Sequence, residues 1–176
     1  MKRIIRICVV IISIAYSCKE GKPLNDAKEN NTIVTETNIE SQKDKLQVFF
    51  DAIIKNDAQI TLYYQDGEVL KTIAGNAVKG KPSKTQRVSF VFPQKIIPNG
   101  FYLRFDAANT INLEKIVLNM NDDRIIIKDS AFFEYFKYNK TTLKVSENLL
   151  TLTQPDTLKT SESLVSRITN RYSKYM

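Results

Sequence analysis

Arg104 and Asp106 stand two residues apart in Phe101-Tyr102-Leu103-Arg104-Phe105-Asp106. In an extended strand, residues two apart share a face, so Tyr102, Arg104 and Asp106 project together. A guanidinium beside a carboxylate can donate to and accept from sugar hydroxyls. A tyrosine ring can stack on the apolar face of the same sugar. Tyr63-Tyr64 adds a second ring. With Ile60, Leu62 and Tyr64 on the inner face by alternation, Tyr63 is the one left free. Tyr63, Tyr102, Arg104 and Asp106 are therefore the ligand-binding candidates. The same residues have a structural use, because cross-strand polar pairs are ordinary sheet stabilisers and an arginine can tie a loop to a sheet.

Chemistry beyond binding is narrowly bounded. The chain contains no histidine. That excludes Ser-His-Asp and Cys-His arrangements and any zinc site with imidazole ligands. Glycine is scarce at five residues, and neither phosphate-cradling glycine motif is present. Glu114 and Glu134 are the types a glycosidase pairs, although nothing in the sequence fixes their separation. Asp122-Asp123 could offer carboxylate oxygens to a cation. Acidic residues also populate hairpin turns for local backbone reasons. The expectation is a protein without catalytic residues, metal or cofactor.

The first eighteen residues carry a different chemistry. Lys2, Arg3 and Arg6 form a basic opening, Ile7 to Ile14 is apolar except for Ser13, and Ala15 and Ser17 stand three and one positions before Cys18. This is the order of a secretory signal peptide over residues 1–17 with its cleavage site. The apolar run is shorter than the ~20 residues a membrane-spanning helix needs. A cysteine at the first position after the cut resembles the lipobox of bacterial lipoproteins, with Ala15 where that box more often has Leu and Tyr16 where it has a small residue. The resemblance implies that the Cys18 thiol receives a diacylglycerol and that the new amino end is acylated, for example with palmitate. Two or more acyl chains anchor a protein stably, at about 0.8 kcal/mol per buried CH₂. The alternative is plain cleavage before Cys18 and a soluble secreted protein. Lys19-Glu20 loosely resembles the surface-export signals of lipoproteins in the Bacteroidota. The place these features imply is the bacterial cell envelope, the outer membrane before the inner, facing the periplasm or the cell surface. Cys8 lies within the signal, so the mature chain holds one cysteine and no internal disulfide.

Three of the 26 basic residues precede Cys18 and no acid does, which leaves the mature chain at net +4. Those charges are scattered, and a nucleic-acid partner is not expected. Residues 18–44 are expected to be the lipidated cysteine and a flexible polar tether, in which Ile33, Val34 and Ile39 could form a short edge strand.

From Lys45 onward the chain reads as short strands between turn signals, which predicts an antiparallel β-sandwich over residues 45–155. Leu46–Phe50, Gln59–Tyr64, Val69–Ile73, Arg87–Phe92 and Phe101–Asp106 read as strands, and Gln59–Tyr64, Arg87–Phe92 and Phe101–Asp106 alternate in period two. Ala74 to Lys84, with Gly75, Gly80 and Pro82, reads as a loop. Pro98-Asn99-Gly100 reads as a turn that needs positive φ. Ile111-x-Leu113 and Ile116-x-Leu118-x-Met120 are out of phase by one residue, which predicts a β-bulge at Glu114-Lys115. Asn121-Asp122-Asp123 leads by a hairpin into Arg124–Ile127. Phe132 to Tyr138 reads as a further aromatic strand, and Leu143 to Leu152 as one or two short ones. In the C-terminal segment 156–176, Ser161 precedes Leu164, Val165, Ile168 and Tyr172 at helical spacing, a short helix with a serine N-cap.

The succession Ile60–Tyr64, Val88–Pro93, Tyr102–Asp106, Ile111-x-Leu113-x-x-Ile116-x-Leu118 resembles the jelly-roll or galactose-binding-like β-sandwich modules of bacterial surface proteins. Here Ala107-Ala108 follows Asp106 where a Pro-Gly-like turn is more usual. The resemblance implies a mainly β, jelly-roll-like fold. The function expected first is that of a non-catalytic structural or protein-interaction component of the envelope; the alternative is a carbohydrate-binding accessory module of a surface glycan system. Its expected partners are membrane lipid through Cys18 and an envelope protein or a glycan.

Overall fold

The computed structural model describes residues 42–176. The signal peptide, Cys18, the tether up to residue 41 and the possible strand at Ile33, Val34 and Ile39 lie outside the described residues.

Among the described residues, eleven strands are arranged in two antiparallel sheets. The first sheet is built from β1 (Gln47–Ile54), β4 (Gln86–Val91), β6 (Asn109–Met120), β7 (Asp123–Ile127), β9 (Leu143–Ser146) and β10 (Leu149–Leu152). Its order is β4-β1-β6-β10-β9, with β7 paired to the far half of the long β6. The second sheet has β3 (Val69–Val78), β2 (Ala58–Asp66), β5 (Phe101–Phe105), β11 (Asp156–Thr160) and β8 (Phe136–Lys137), in that order. Two helices, α1 (Ala131–Tyr135) and α2 (Glu162–Tyr172), complete the fold.

Alternation explains how the layers close. Val48, Phe50, Ala52 and Ile54 of β1 are buried, as are Ile60, Leu62 and Tyr64 of β2 and Phe101, Leu103 and Phe105 of β5. The two inner faces meet ring against ring, with centroids 5.8 Å apart for Phe50 and Phe105 and 4.8 Å for Tyr64 and Phe92. The result is the antiparallel β-sandwich expected from the sequence.

The bulge in β6 is where the slipped alternation placed it. Asp51 of β1 faces Lys115 and Ala52 faces Leu113, so Glu114 has no partner. That one extra residue puts Ile111, Leu113, Ile116, Leu118 and Met120 all on the buried face. The β6–β7 hairpin turns on Asn121 and Asp122, at φ 49° and 65°. A two-residue turn with both centres left-handed matches the strand twist, and Asn and Asp tolerate it best. Gly100 has φ 153°, as its turn requires.

Two expectations are corrected. Residues 74–78 are not loop: β3 continues to Val78. Gly75 marks a close approach, because a Cβ there would lie 2.5 Å from the Thr61 Oγ1. The β2–β3 register shifts beside it, between Ile60 and Leu62. Nor is Phe132–Tyr138 one strand. Phe132, Tyr135 and Phe136 are spaced by three and one, and that spacing turns them inward together from α1 and the residue after it. The Phe132 ring stacks on Phe136, which meets Phe101 edge-on.

Asp156–Thr160, which the sequence placed with the C-terminal segment, is strand β11 between β5 and β8. Leu158 and Thr160 point inward, and the Thr160 hydroxyl accepts from the Phe101 amide at 3.1 Å. The helix that follows starts at the expected cap: Ser161 Oγ accepts from the Leu164 amide at 3.3 Å. Leu164, Ile168 and Tyr172 are all buried.

Candidate functional site

The outer face of the second sheet gathers three of the four candidate residues. β2 and β5 pair so that Tyr63 lies opposite Tyr102 and Thr61 opposite Arg104. The two tyrosine rings are parallel to within 12°, with centroids 5.2 Å apart. Both are half-buried, while Tyr64 is turned fully into the core, as alternation requires. Each ring gives one face to the other, and neither hydroxyl is engaged within the described residues. Arg104 is exposed beside the pair, with no ion pair among the described residues.

Asp106 is not part of this cluster. It lies past the end of β5, and its Oδ1 accepts from the Gln59 amide at 2.7 Å. No ion pair joins it to Arg104. It caps the start of β2 and borders a shallow recess of about 300 Å³ beside Asp57 and Lys79. Asp57 is itself held by Lys79 at 2.8 Å and by the Gly80 amide, which keep its carboxyl below the usual range.

Sequence reasoning missed the fourth residue of the face. Lys159 of β11 lies directly opposite Tyr102, and Thr157 opposite Arg104. Lys159 is exposed and has no ion pair among the described residues. The signal that could have found it is the alternation Thr157-Leu158-Lys159-Thr160, which holds a single large apolar residue and was easily overlooked.

The aspartates of the β6–β7 hairpin are spent elsewhere. Asp122 pairs with Lys43 at 2.5 Å, and Asp123 pairs with Arg171 and with Lys174 at 2.8 Å. Each carboxylate is matched by cations of the chain itself, and among the described residues no acidic cluster is arranged to hold a metal ion. Glu114 accepts from the Thr85 hydroxyl at 2.5 Å on the β6 bulge, whereas Glu134 belongs to α1, and no hydrogen bond joins the two.

The outer face of the first sheet is built differently. Arg87 grips the buried Asp51 through two hydrogen bonds of 2.7 Å and lies over the Phe49 ring at 5.0 Å. The Arg87 hydrogen bond holds the Asp51 carboxyl below its ordinary pKa, against the opposing effect of burial. Next to this closed pair, Phe49, Val91, Val117 and Ile126 line a cavity of about 530 Å³. Ile126 is about half exposed.

Asp123 yields a prediction. Hydrogen bonds from Lys174 first, then Arg171, lower its pKa from an ordinary 3.8 to about 2. A carboxylate with a depressed folded pKa stabilises the fold fully above its unfolded value and stops doing so as pH falls through the folded one. The C-terminal attachment therefore weakens between about pH 4 and pH 2. In urea titrations across that window, Asp123→Asn should start less stable than the wild type and converge on it toward pH 2. A gap that stays constant with pH would show that Asp123 does not act through its charge.

No protein-family model matches the chain, and comparison with curated proteins finds no match.

Proposed function

We propose that this protein is a non-catalytic, membrane-anchored binding module of a bacterial cell envelope, held by lipid on Cys18 and taking up a glycan on the outer face of its second sheet. The observation that carries the reading is the Tyr63–Tyr102 stack beside Arg104, which has no ion pair among the described residues. Two aromatic rings with unengaged hydroxyls offer stacking area and polar edges at once, the combination a sugar's two-sided chemistry needs. The anchor rests on the basic, apolar, small, Cys order of residues 2–18. The absence of histidine supports a binding rather than a catalytic role.

A second reading, a structural or protein-interaction component of the envelope, is favoured by the cavity on the first sheet. There the apolar Phe49, Val91, Val117 and Ile126 lie among polar and charged residues such as Lys115 and Arg124, the mixed surface that a protein partner would cover.

Two measurements test the proposal. Cys18→Ser should move the protein from the membrane to the soluble fraction, and mass spectrometry should find acyl groups on the wild-type residue. An unmodified Cys18 ends the anchored reading. In calorimetric screening against glycans, Tyr63→Ala and Tyr102→Ala should each weaken the binding found by about tenfold, or roughly 1.4 kcal/mol. Glycan binding that survives both substitutions removes the site. Binding to no glycan, with co-purification of an envelope protein that Ile126→Asp abolishes, moves the function to the first sheet.

A further inference from the structure

The charge on the second sheet's outer face narrows the class of ligand. One row across the five strands reads Thr72, Tyr63, Tyr102, Lys159, Lys137, and the adjacent row reads Thr61, Arg104, Thr157. Neither row contains a carboxylate. The acids at the ends of these strands are committed elsewhere: Asp156 accepts from the Thr142 hydroxyl and the Thr157 amide, and Asp106 from the Gln59 amide. Lys137 meets Glu162 at 3.3 Å with both side chains largely exposed, a contact that water screens strongly. Among the described residues Arg104 and Lys159 have no such partner. On the first sheet the outward Arg87 is neutralised by Asp51.

Strand spacing sets the reach. Lys159 stands one strand from Tyr102, about 4.8 Å, and Arg104 stands two residues along the strand from Tyr102, about 7 Å. The two cations thus flank one side of the aromatic pair. We infer that this face binds an acidic glycan, a polysaccharide bearing carboxylate or sulfate groups, with the acid held between Arg104 and Lys159 and the sugar ring against Tyr102 and Tyr63. This rests on the glycan reading above and deepens it. Arg104 supplies a planar fork that matches a carboxylate or sulfate edge, and Lys159 supplies a point charge. Thr61 and Thr157 stand on either side of Arg104 in its register row. A ligand with no acid group would leave both cations without a partner.

The test uses the full-length chain in detergent, titrated with polygalacturonate, with its fully methyl-esterified form and with chondroitin sulfate. Esterification keeps the sugar backbone and removes the charge. The acidic polymers should bind at least about tenfold more tightly than the ester. Arg104→Ala and Lys159→Ala should each remove most of that difference, while Arg104→Lys should keep part of it. Raising salt from 50 to 300 mM should weaken the acidic polymers and leave the ester unchanged. Circular dichroism on each variant guards against loss of fold. Equal binding of acid and ester overturns the inference while the glycan reading stands. Binding of neither overturns both. Binding to phosphatidylglycerol vesicles, lost in the same two variants and with no polymer bound, would show that the face meets lipid and also overturns the inference.

Discussion

Leu103→Ala is expected to lower the unfolding free energy by about 2–5 kcal/mol. Leu103 is fully buried at the middle of β5, between Leu62 of β2 and Leu158 of β11 in the same register row. Its removal takes away transfer energy and leaves a hole that its neighbours cannot easily fill. Leu62 and Leu158 are fixed by their own strands, and Phe50 and Phe105 meet across the sheets above. Partial relaxation is the reason such substitutions span a range rather than a single value. Urea unfolding with an unchanged slope and a lower midpoint would give the number. A midpoint equal to the wild type would mean that the centre of the second sheet does not pack against the first.

The same strand shows what the sequence made legible. Phe101, Leu103 and Phe105 declared their face by period alone. The one-residue slip between Leu113 and Ile116 was enough to place the bulge, because only an inserted residue keeps both halves buried. Ser161 and the spacing of Leu164, Ile168 and Tyr172 gave the C-terminal helix with its cap. Phe132–Tyr138 misled because aromatic residues favour strands, yet their spacing, not their type, decided the conformation. Gly75 misled because a glycine inside a strand can mark a close backbone approach as well as a break. β11 was hard to see because a strand with neighbours on both sides needs few apolar residues when Leu158 and Thr160 alone face the core.

The candidate site was legible to the extent that alternation governs it. Period two put Tyr63, Tyr102 and Arg104 outward, and they are outward. It could not say that β2 pairs with β5 in the register that sets Tyr63 against Tyr102, since strand pairing depends on contacts some forty residues apart. Asp106 lies beyond the strand, where the backbone leaves the ladder and alternation no longer fixes direction. There the unpaired amide of Gln59 decides where the carboxylate points. Lys159 entered only with β11. The face thus lost a carboxylate and gained an ammonium group relative to the sequence reading, and that exchange leaves it cationic.

Tyr172→Ala is expected to cost about 3–5 kcal/mol, because it removes a fully buried aromatic side chain from the junction of α2 with the first sheet. The Tyr172 hydroxyl donates to the Leu118 carbonyl at 2.8 Å and lies 3.3 Å from the Asp123 carbonyl. Burial pushes its ionisation well above the usual tyrosine range, so it remains a neutral donor at every pH of physiological interest. Tyr172→Phe keeps the ring and loses only the hydroxyl, and should cost about 0.5–1.5 kcal/mol. The gap between the two variants separates packing from hydrogen bonding. Asp123, on the same hairpin, adds charged contacts from Arg171 and Lys174, the residues flanking Tyr172 and Ser173. A helix of eleven residues is marginal alone in water. It persists here because its buried face and this charged corner act together. If Tyr172→Ala leaves the midpoint of sandwich unfolding in place while helical dichroism is lost first, then α2 unfolds as a separate unit and contributes nothing to the stability of the sheets.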